Sequence, residues 1–413
     1  MQPHQPGRLL AGPFFESNCR GERCLMAPET AAPVRPRLWT RSYVVIILVS
    51  LFTFLGFQML LPTLPVYAKR LGASDAEAGL VIGIFAFSAL LVRPLTGYAL
   101  DRWGRKVILL SGLAIFTLSV ISYHWALTLM LLLTIRFIHG IGWGICSTSS
   151  STVATDIIPK SRIGEGMGYY GLAGTISMAT GPAIGLWIVS WLDFGALFNT
   201  ASVMVVVAII FAAVIRYPVV PLASSKTFVL WEKSALPSSM VLFFLTMTYG
   251  AIVSFLALYA AQYGISNIGP FFTWYALALL VMRPTAGKLS DRIGHTVIIV
   301  PGILCVAAAM IVLAYADTLM WFSAAAVLYG LGFGLALPSL QALAVTFAPP
   351  ERRGAANGTF FTGFDLGITA GSVLWGAVAE VTGYSLMYLW TTLPALISLA
   401  VYLYNRPKKG GKA

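Results

Sequence analysis

A few ionisable side chains lie deep inside apolar runs of this sequence, and they are where its chemistry is to be sought. Arg136 sits about nine residues into one run and Asp365 about ten residues into another, depths of roughly 14 Å and 15 Å at 1.5 Å per helical residue. A charge at that depth in a bilayer costs a few kcal/mol or more, so it must face a cavity or a partner. Asp365 can couple to protons, because protonation removes the cost of its charge. His139 lies one helical turn from Arg136 and is a second possible relay. Each has a structural alternative: a hydrogen-bonded arginine, a helix-packing carboxylate, and a histidine kept neutral by its neighbour. The two deep groups lie in different halves of the chain and need not touch. Arg93 and Arg283, next to Pro94 and Pro284, read as groups near helix ends, where snorkelling or rim pairing suits them better than substrate contact.

Other chemistries are poorly supplied. No Ser/His/Asp set is evident for an intramembrane enzyme such as an acyltransferase. No paired His/Cys/Glu spacing suggests a metal site, and no G-x4-G-K-S/T loop suggests ATP binding. The four cysteines, Cys19, Cys24, Cys146 and Cys305, are too scattered for a disulfide framework. The expectation is a protein that is not an enzyme and carries no metal or cofactor.

The elements that must position these groups follow from composition. Apolar residues make up 58% of the 413 residues and charged residues 10%, against roughly 45–50% and 25% in soluble domains. Forty-two charges cannot cover a soluble globule of this size, and a disordered chain is poor in apolar residues. The chain reads as an all-α polytopic membrane protein. Twelve apolar stretches are long enough to span, at about 43–66, 77–98, 107–124, 127–154, 163–190, 194–216, 237–262, 268–288, 297–315, 319–347, 355–380 and 384–405. They divide into a disordered N-terminal tail without a signal peptide (1–41), a first six-helix bundle (42–216), a linker (217–236), a second six-helix bundle (237–405) and a short tail (406–413).

The net charge of +12 follows the same layout. Twenty-two of the 27 Lys and Arg fall in the tails and loops of one side, and two, Lys69 and Arg70, on the other. The positive-inside rule then places both termini and the linker in the cytoplasm and leaves no need for nucleic acid.

The two halves repeat at a constant offset of 190 residues. Arg93-Pro94, Gly97, Asp101-Arg102 and Gly104 recur as Arg283-Pro284, Gly287, Asp291-Arg292 and Gly294. Gly140, Gly142 and Gly144 recur as Gly330, Gly332 and Gly334, and Arg162, Gly164, Gly168 and Gly181 as Arg352, Gly354, Gly358 and Gly371. Six spans separate the copies, so both halves enter the membrane in the same sense. The expected relation is a pseudo-twofold axis along the membrane normal, with substrate held between halves that rock.

The residues that carry these repeats resemble the major facilitator superfamily over about 40–405. The segment Gly97-x-x-x-Asp101-Arg102-x-Gly104-Arg105-Lys106 is similar to its G-x-x-x-D-R-x-G-R-R/K signature; the second copy departs from it at His295. Leu55-Gly56, Pro62 and Pro65 resemble the L-G-x5-P-x-x-P pattern of bacterial twelve-helix drug/proton antiporters. Gly168, Gly181, Pro182 and Gly185 resemble the antiporter signature, with departures at Ser177 and Leu186. Arg136, Gly140 and Gly142 resemble R-x-x-Q-G-x-G, with His139 for Gln, and Asp156-x-x-Pro159-x-x-Arg162-x-Gly164-Glu165 is similar to an efflux permease.

The resemblance implies a gate on the cytoplasmic rim. Asp101 would lie near the amino end of a neighbouring helix, where the dipole favours it. Arg105 would pair with Asp156, and Gly97 and Gly104 would permit close approach. Arg102 completes that motif, and Gly287, Asp291 and Arg292 would form a weaker counterpart. The resemblance also implies a cavity lined by Gln58, Arg136, His139, Trp143, Tyr249 and Tyr329, joined by Phe361 and Asp365; each aromatic has packing as its alternative. The implied function is proton-coupled efflux of a small organic molecule or drug by a monomer of the plasma or inner membrane. A proton symporter for a sugar or organic anion is the runner-up, and Gly181-Pro182 weighs against it.

Overall fold

Apolar segments of 18 to 38 residues leave the backbone one economical choice, since a helix satisfies its own N–H and C=O groups. The computed structural model describes residues 36–73, 75–218, 230–265 and 268–405, and these contain helices and no strand. The chain order is α1 (Arg41–Leu60), α2 (Thr63–Arg70), α3 (Asp75–Trp103), α4 (Arg105–Ser122), α5 (Leu129–Ile157), α6 (Ile163–Trp191), α7 (Phe194–Val214), α8 (Leu236–Gln262), α9 (Gly269–Ile293), α10 (Thr296–Ala314), α11 (Leu319–Thr346), α12 (Arg353–Trp390) and α13 (Thr392–Asn405). Side-chain oxygens start three of them. Thr40 accepts from the Tyr43 N–H, Thr128 from Leu131 and Asp193 from Ala196, each satisfying one of the four donors that a helix start leaves open.

Among the described residues, ten segments are long and apolar enough to cross a membrane. The difference from twelve has two causes. The expected span at 268–288 corresponds to α9, whose last ten residues include Lys288, Asp291 and Arg292 beyond Arg283 and make it more polar. The expected spans at 355–380 and 384–405 fall within one continuous apolar segment, Pro350–Asn405. Gly383, at φ 79°, interrupts that segment where the two spans were expected to meet. The first span also differs. Helix α1 stops at Leu60 and Pro62 precedes a separate α2, because proline supplies no N–H to continue the ladder.

The expected tails and linker lie largely outside the described residues, at 1–35, 219–229 and 406–413, and Cys19 and Cys24 with them. Residues at their described edges pack onto the helices. Leu38 is buried, and Trp39 packs edge-on against Tyr43 and Tyr169. In the linker, Glu232 is buried, its N–H donates to Thr359 Oγ1 at 3.0 Å, and its carboxylate accepts from the Ser234 hydroxyl at 2.9 Å.

Helix pairing repeats along the chain. Helix α5 packs on α3 and α4, as α11 packs on α9 and α10; α1 packs on α6 and α7, as α8 packs on α12 and α13. Across the halves, α3 meets α12 and α6 meets α9. Leu80, Val107, Val203, Ile210 and Val281 point outward and exposed, as lipid-facing side chains do. Small residues make the close crossings possible. A Cβ on Gly142 of α5 would lie 2.7 Å from the Phe116 backbone nitrogen of α4, and one on Gly330 of α11 would lie 2.8 Å from the Tyr275 carbonyl of α9. Because the obstacle at Gly142 is backbone, the helices themselves must part. Gly142→Ala should destabilise the protein by about 1–3 kcal/mol in detergent unfolding. Gly83→Ala, which would meet nothing within 4 Å, should not.

Candidate functional site

The α3–α4 turn gathers Asp101, Arg102, Arg105 and Lys106 on one rim. Gly104 holds φ 91° between the two helices, a conformation that suits glycine, and brings Arg105 back beneath Asp101. The carboxylate of Asp101, a residue 5% exposed, accepts the backbone N–H groups of Gly354 and Ala355 at 2.9 Å each. Both belong to the first turn of α12, whose donors have no partner inside their own helix. A Cβ on Gly97 would lie 2.8 Å from the Gly354 carbonyl oxygen, so the two helices touch backbone to backbone.

Arg105 ties this cap to two other elements. It donates to Asp101 at 2.8 Å, to the Leu100 carbonyl at 2.8 Å, to Asp156 of α5 at 2.9 Å and to the Pro350 carbonyl at 3.1 Å. Asp156 in turn accepts from Arg353 at 3.1 Å, and Arg353 also donates to the Thr155 carbonyl. Asp101, Arg105, Asp156 and Arg353 thus alternate in sign and are all buried at their side chains. Arg353 gave no sequence signal beyond its charge. Arg102, expected in the same motif, is exposed.

The second copy keeps the cap and loses the relay. Asp291 accepts the N–H groups of Gly164 and Glu165 of α6 at 2.9 and 2.8 Å. These three residues stand 190 positions from the three of the first cap, Asp101, Gly354 and Ala355. Gly287 presses on the Gly164 carbonyl as Gly97 does on Gly354. His295 replaces the arginine and binds the Ser290 hydroxyl at 2.6 Å; Thr346 stands where Asp156 has its carboxylate. Arg292, like Arg102, is exposed, while Arg162 pairs with Glu165 at 2.8 Å.

Deeper in the bundle, Asp365 of α12 finds Arg93 of α3. Arg93 Nε donates to Asp365 at 2.5 Å, its other donors reach Ser147 and Thr148 of α5 at 3.1 and 3.3 Å, and its guanidinium lies 5.0 Å from the Phe361 ring centre. The expected rim position of Arg93 is therefore corrected. It sits eight residues inside Asp101, about 12 Å along the helix, and is buried. Its partner was hidden because the two residues are 272 positions apart. The run Ser147-Thr148-Ser149-Ser150-Ser151-Thr152, wholly buried in α5, was the missed signal. Six successive hydroxyls in a span are a polar seam, and Ser151 continues it across the halves to Gln341 at 2.7 Å and Asn357 at 3.1 Å.

The expected cavity residues separate into two groups. Arg136 and His139 have no exposed surface: Arg136 donates to the Val81 carbonyl at 2.9 Å and lies over Phe85 at 4.3 Å, and His139 Nδ1 meets the Tyr123 hydroxyl at 2.8 Å. Tyr329 is equally buried, bonded to Thr248 at 2.9 Å. These three line no open space in this conformation, because packing against aromatic neighbours closes them off. Gln58, Tyr249 and Phe361 keep partial exposure, and Trp143 is nearly buried between Phe54 and Phe57. Gly181 packs on the Gln58 side chain and Gly185 on the Met59 backbone, so these two join α6 to α1, with Pro182 inside α6 between them. Gly168 instead packs on the Arg283 carbonyl of α9.

The two caps should differ in strength. Asp101→Asn removes the charge from a buried cap that an arginine shares and should cost about 1–3 kcal/mol in detergent unfolding. Asp291→Asn, at a partly exposed cap without that arginine, should cost measurably less.

Comparison with known proteins agrees with this geometry. The sequence profile of the Major Facilitator Superfamily matches residues 46–272 and 239–413. An uncharacterized MFS-type transporter of Methanocaldococcus jannaschii is 25% identical over 371 residues, covering 86% of this chain and 96% of its own. The multidrug resistance protein MdtG of Escherichia coli is 26% identical over 402 residues, 92% of this chain and 97% of its own. Among solved structures, the human organic anion transporter MFSD10 superposes with a TM-score of 0.77 at 18% identity, covering 87% of this chain and 98% of its own. The chain is a multi-pass membrane protein that belongs to the Major Facilitator Superfamily of transporters.

Proposed function

We propose that this chain is a proton-coupled exporter of small organic molecules in the cell membrane, working by alternating access. The observation that carries the proposal is the Arg93–Asp365 bridge at mid-depth, because it joins the two halves through a group that a proton can neutralise. The likeness to MdtG supports export, and the Gly181-Pro182 packing of α6 on α1 accords with it.

On this reading the chain forms twelve spans, in two six-helix bundles at 42–216 and 237–405 related by the 190-residue repeat. Both termini and the α3–α4 rim face the cytoplasm. The contacts from Asp101, Arg105 and Asp291 then close the cytoplasmic side. A proton arriving from outside neutralises Asp365 and releases Arg93, which weakens the α3–α12 seam at mid-depth. The rim caps become the remaining hold, and they can part as rigid halves rock. Release of the proton inward restores the bridge, and substrate leaves on the opposite stroke. Export needs no cofactor; the proton gradient drives it, and the lipid bilayer is the only other partner required of a monomer.

The test is proton movement in proteoliposomes on addition of lipophilic cations, sugars and organic anions in turn. Antiport requires that outward substrate flux carry protons inward. Proton flux in the same direction as substrate would replace the reading with symport, and substrate flux without proton movement would end it.

Asp365→Asn should reduce gradient-driven transport to background while leaving downhill exchange; full gradient-driven activity would remove Asp365 as the coupling group. Orientation has its own check. A cysteine at Ser225 should resist an impermeant thiol reagent in intact cells and react in inside-out vesicles, and ready labelling in intact cells would reverse the assignment.

A further inference from the structure

The 190-residue correspondence makes an unequal pair of the two mid-depth arginines. Arg93 has a carboxylate at 2.5 Å and two hydroxyls. Arg283 stands at the corresponding position of α9. The residue corresponding to Asp365 is Thr175, and those corresponding to Ser147 and Thr148 are Leu337 and Pro338. Among the described residues, no carboxylate lies within ion-pair distance of Arg283. One of its donors is taken by the Gly171 carbonyl, and its Nε is buried without a partner. Thr175 bonds the same Gly171 carbonyl at 3.2 Å, so the place where the first half has its acid is filled by a neutral hydroxyl.

A guanidinium carries five donors and a fixed charge. At half the depth of a bilayer such a charge needs a counter-charge, and an uncompensated one marks a substrate path. Arg283 keeps partial exposure, so it can be reached. Aromatic side chains cluster further along the same helix: Tyr275 lies eight residues before Arg283, about 12 Å along α9. Tyr249 is 6.2 Å from Tyr275 and 5.9 Å from Phe333, ring centre to ring centre, and its hydroxyl points at the Met178 sulfur of α6, 3.9 Å away. We infer that Arg283 is the anion-binding subsite of the transport cavity, and that its ligand is a carboxylate carried on an aromatic body. The carboxylate takes the place that Asp365 fills beside Arg93, and the ring lies among Tyr249, Tyr275 and Phe333. This deepens the export reading by naming a substrate class and rests on it for the word transport.

The test is equilibrium binding to the purified full chain in detergent, with 2-naphthoate and its methyl ester as probes. Wild type should prefer the acid by at least about tenfold, which is 1.4 kcal/mol. Arg283→Gln should bring the preference to within about twofold, and Arg283→Lys should keep part of it. Thr175→Asp provides a second arm. It supplies the missing carboxylate one helical turn from Gly171, so it should abolish the preference for the acid and raise the melting temperature. Equal affinity of wild type for acid and ester, binding of neither, or an unchanged preference in Thr175→Asp overturns the inference. Proton-driven flux of cations or sugars in a wild type that shows no acid preference defeats the inference and leaves the export reading. Acid preference without any gradient-driven flux does the reverse.

Discussion

The first turn of a helix leaves backbone N–H groups that its own ladder cannot use, and where packing shuts out water they need another acceptor. Here the start of α12 is satisfied by Asp101 of α3, and the start of α6 by Asp291 of α9. Each carboxylate comes from the other half of the chain. The same contact therefore completes a helix and fastens the halves, and neither can be undone alone. The glycines at 97, 287, 164 and 354 follow from it, since a carboxylate reaches two successive N–H groups only if the backbones nearly touch.

Much of this was legible because it is local and repeated. The α3–α4 motif fixes Gly104, Asp101 and Arg105 within nine residues, and the constant offset of 190 doubles the signal. The Arg105–Asp156 pair was legible too, since both ends belong to recognisable motifs. What could not be read was partnership across distance. Arg93 pairs with a residue 272 positions away, and nothing along α3 records that. A span ending at 98 puts Arg93 near a helix end, but α3 runs on to Trp103, 29 residues in all. Likewise, full burial of Arg136, His139 and Tyr329 depends on which aromatic rings face them, a property of packing and not of spacing.

The count of spans shows the same division. Apolar runs give helices reliably, and the break at Gly383 falls where the spans at 355–380 and 384–405 were expected to meet, although the apolar segment runs on unbroken; α9, by contrast, is polar at the end where it carries the second copy of the motif. Rim charges make a span look less like one, because the helix that bears them must reach the rim with its charge exposed or capped.

The 190-residue repeat then leaves two seams that are built alike and held unequally. The α3–α12 seam has a cap, a four-charge relay and a mid-depth ion pair. The α6–α9 seam has a cap and an arginine bonded to a backbone carbonyl. On the proposed mechanism, a proton acts on the first seam through Asp365 and an anion acts on the second through Arg283. Neither ligand needs to touch the other. Each changes the energy of a contact that is made in one arrangement of the halves and broken in the other, and that is the condition for two ligands to be coupled through a rigid-body motion. The coupling would survive if the two seams exchanged roles, but it would not survive if both arginines had internal carboxylates, because the anion would then have nothing left to neutralise.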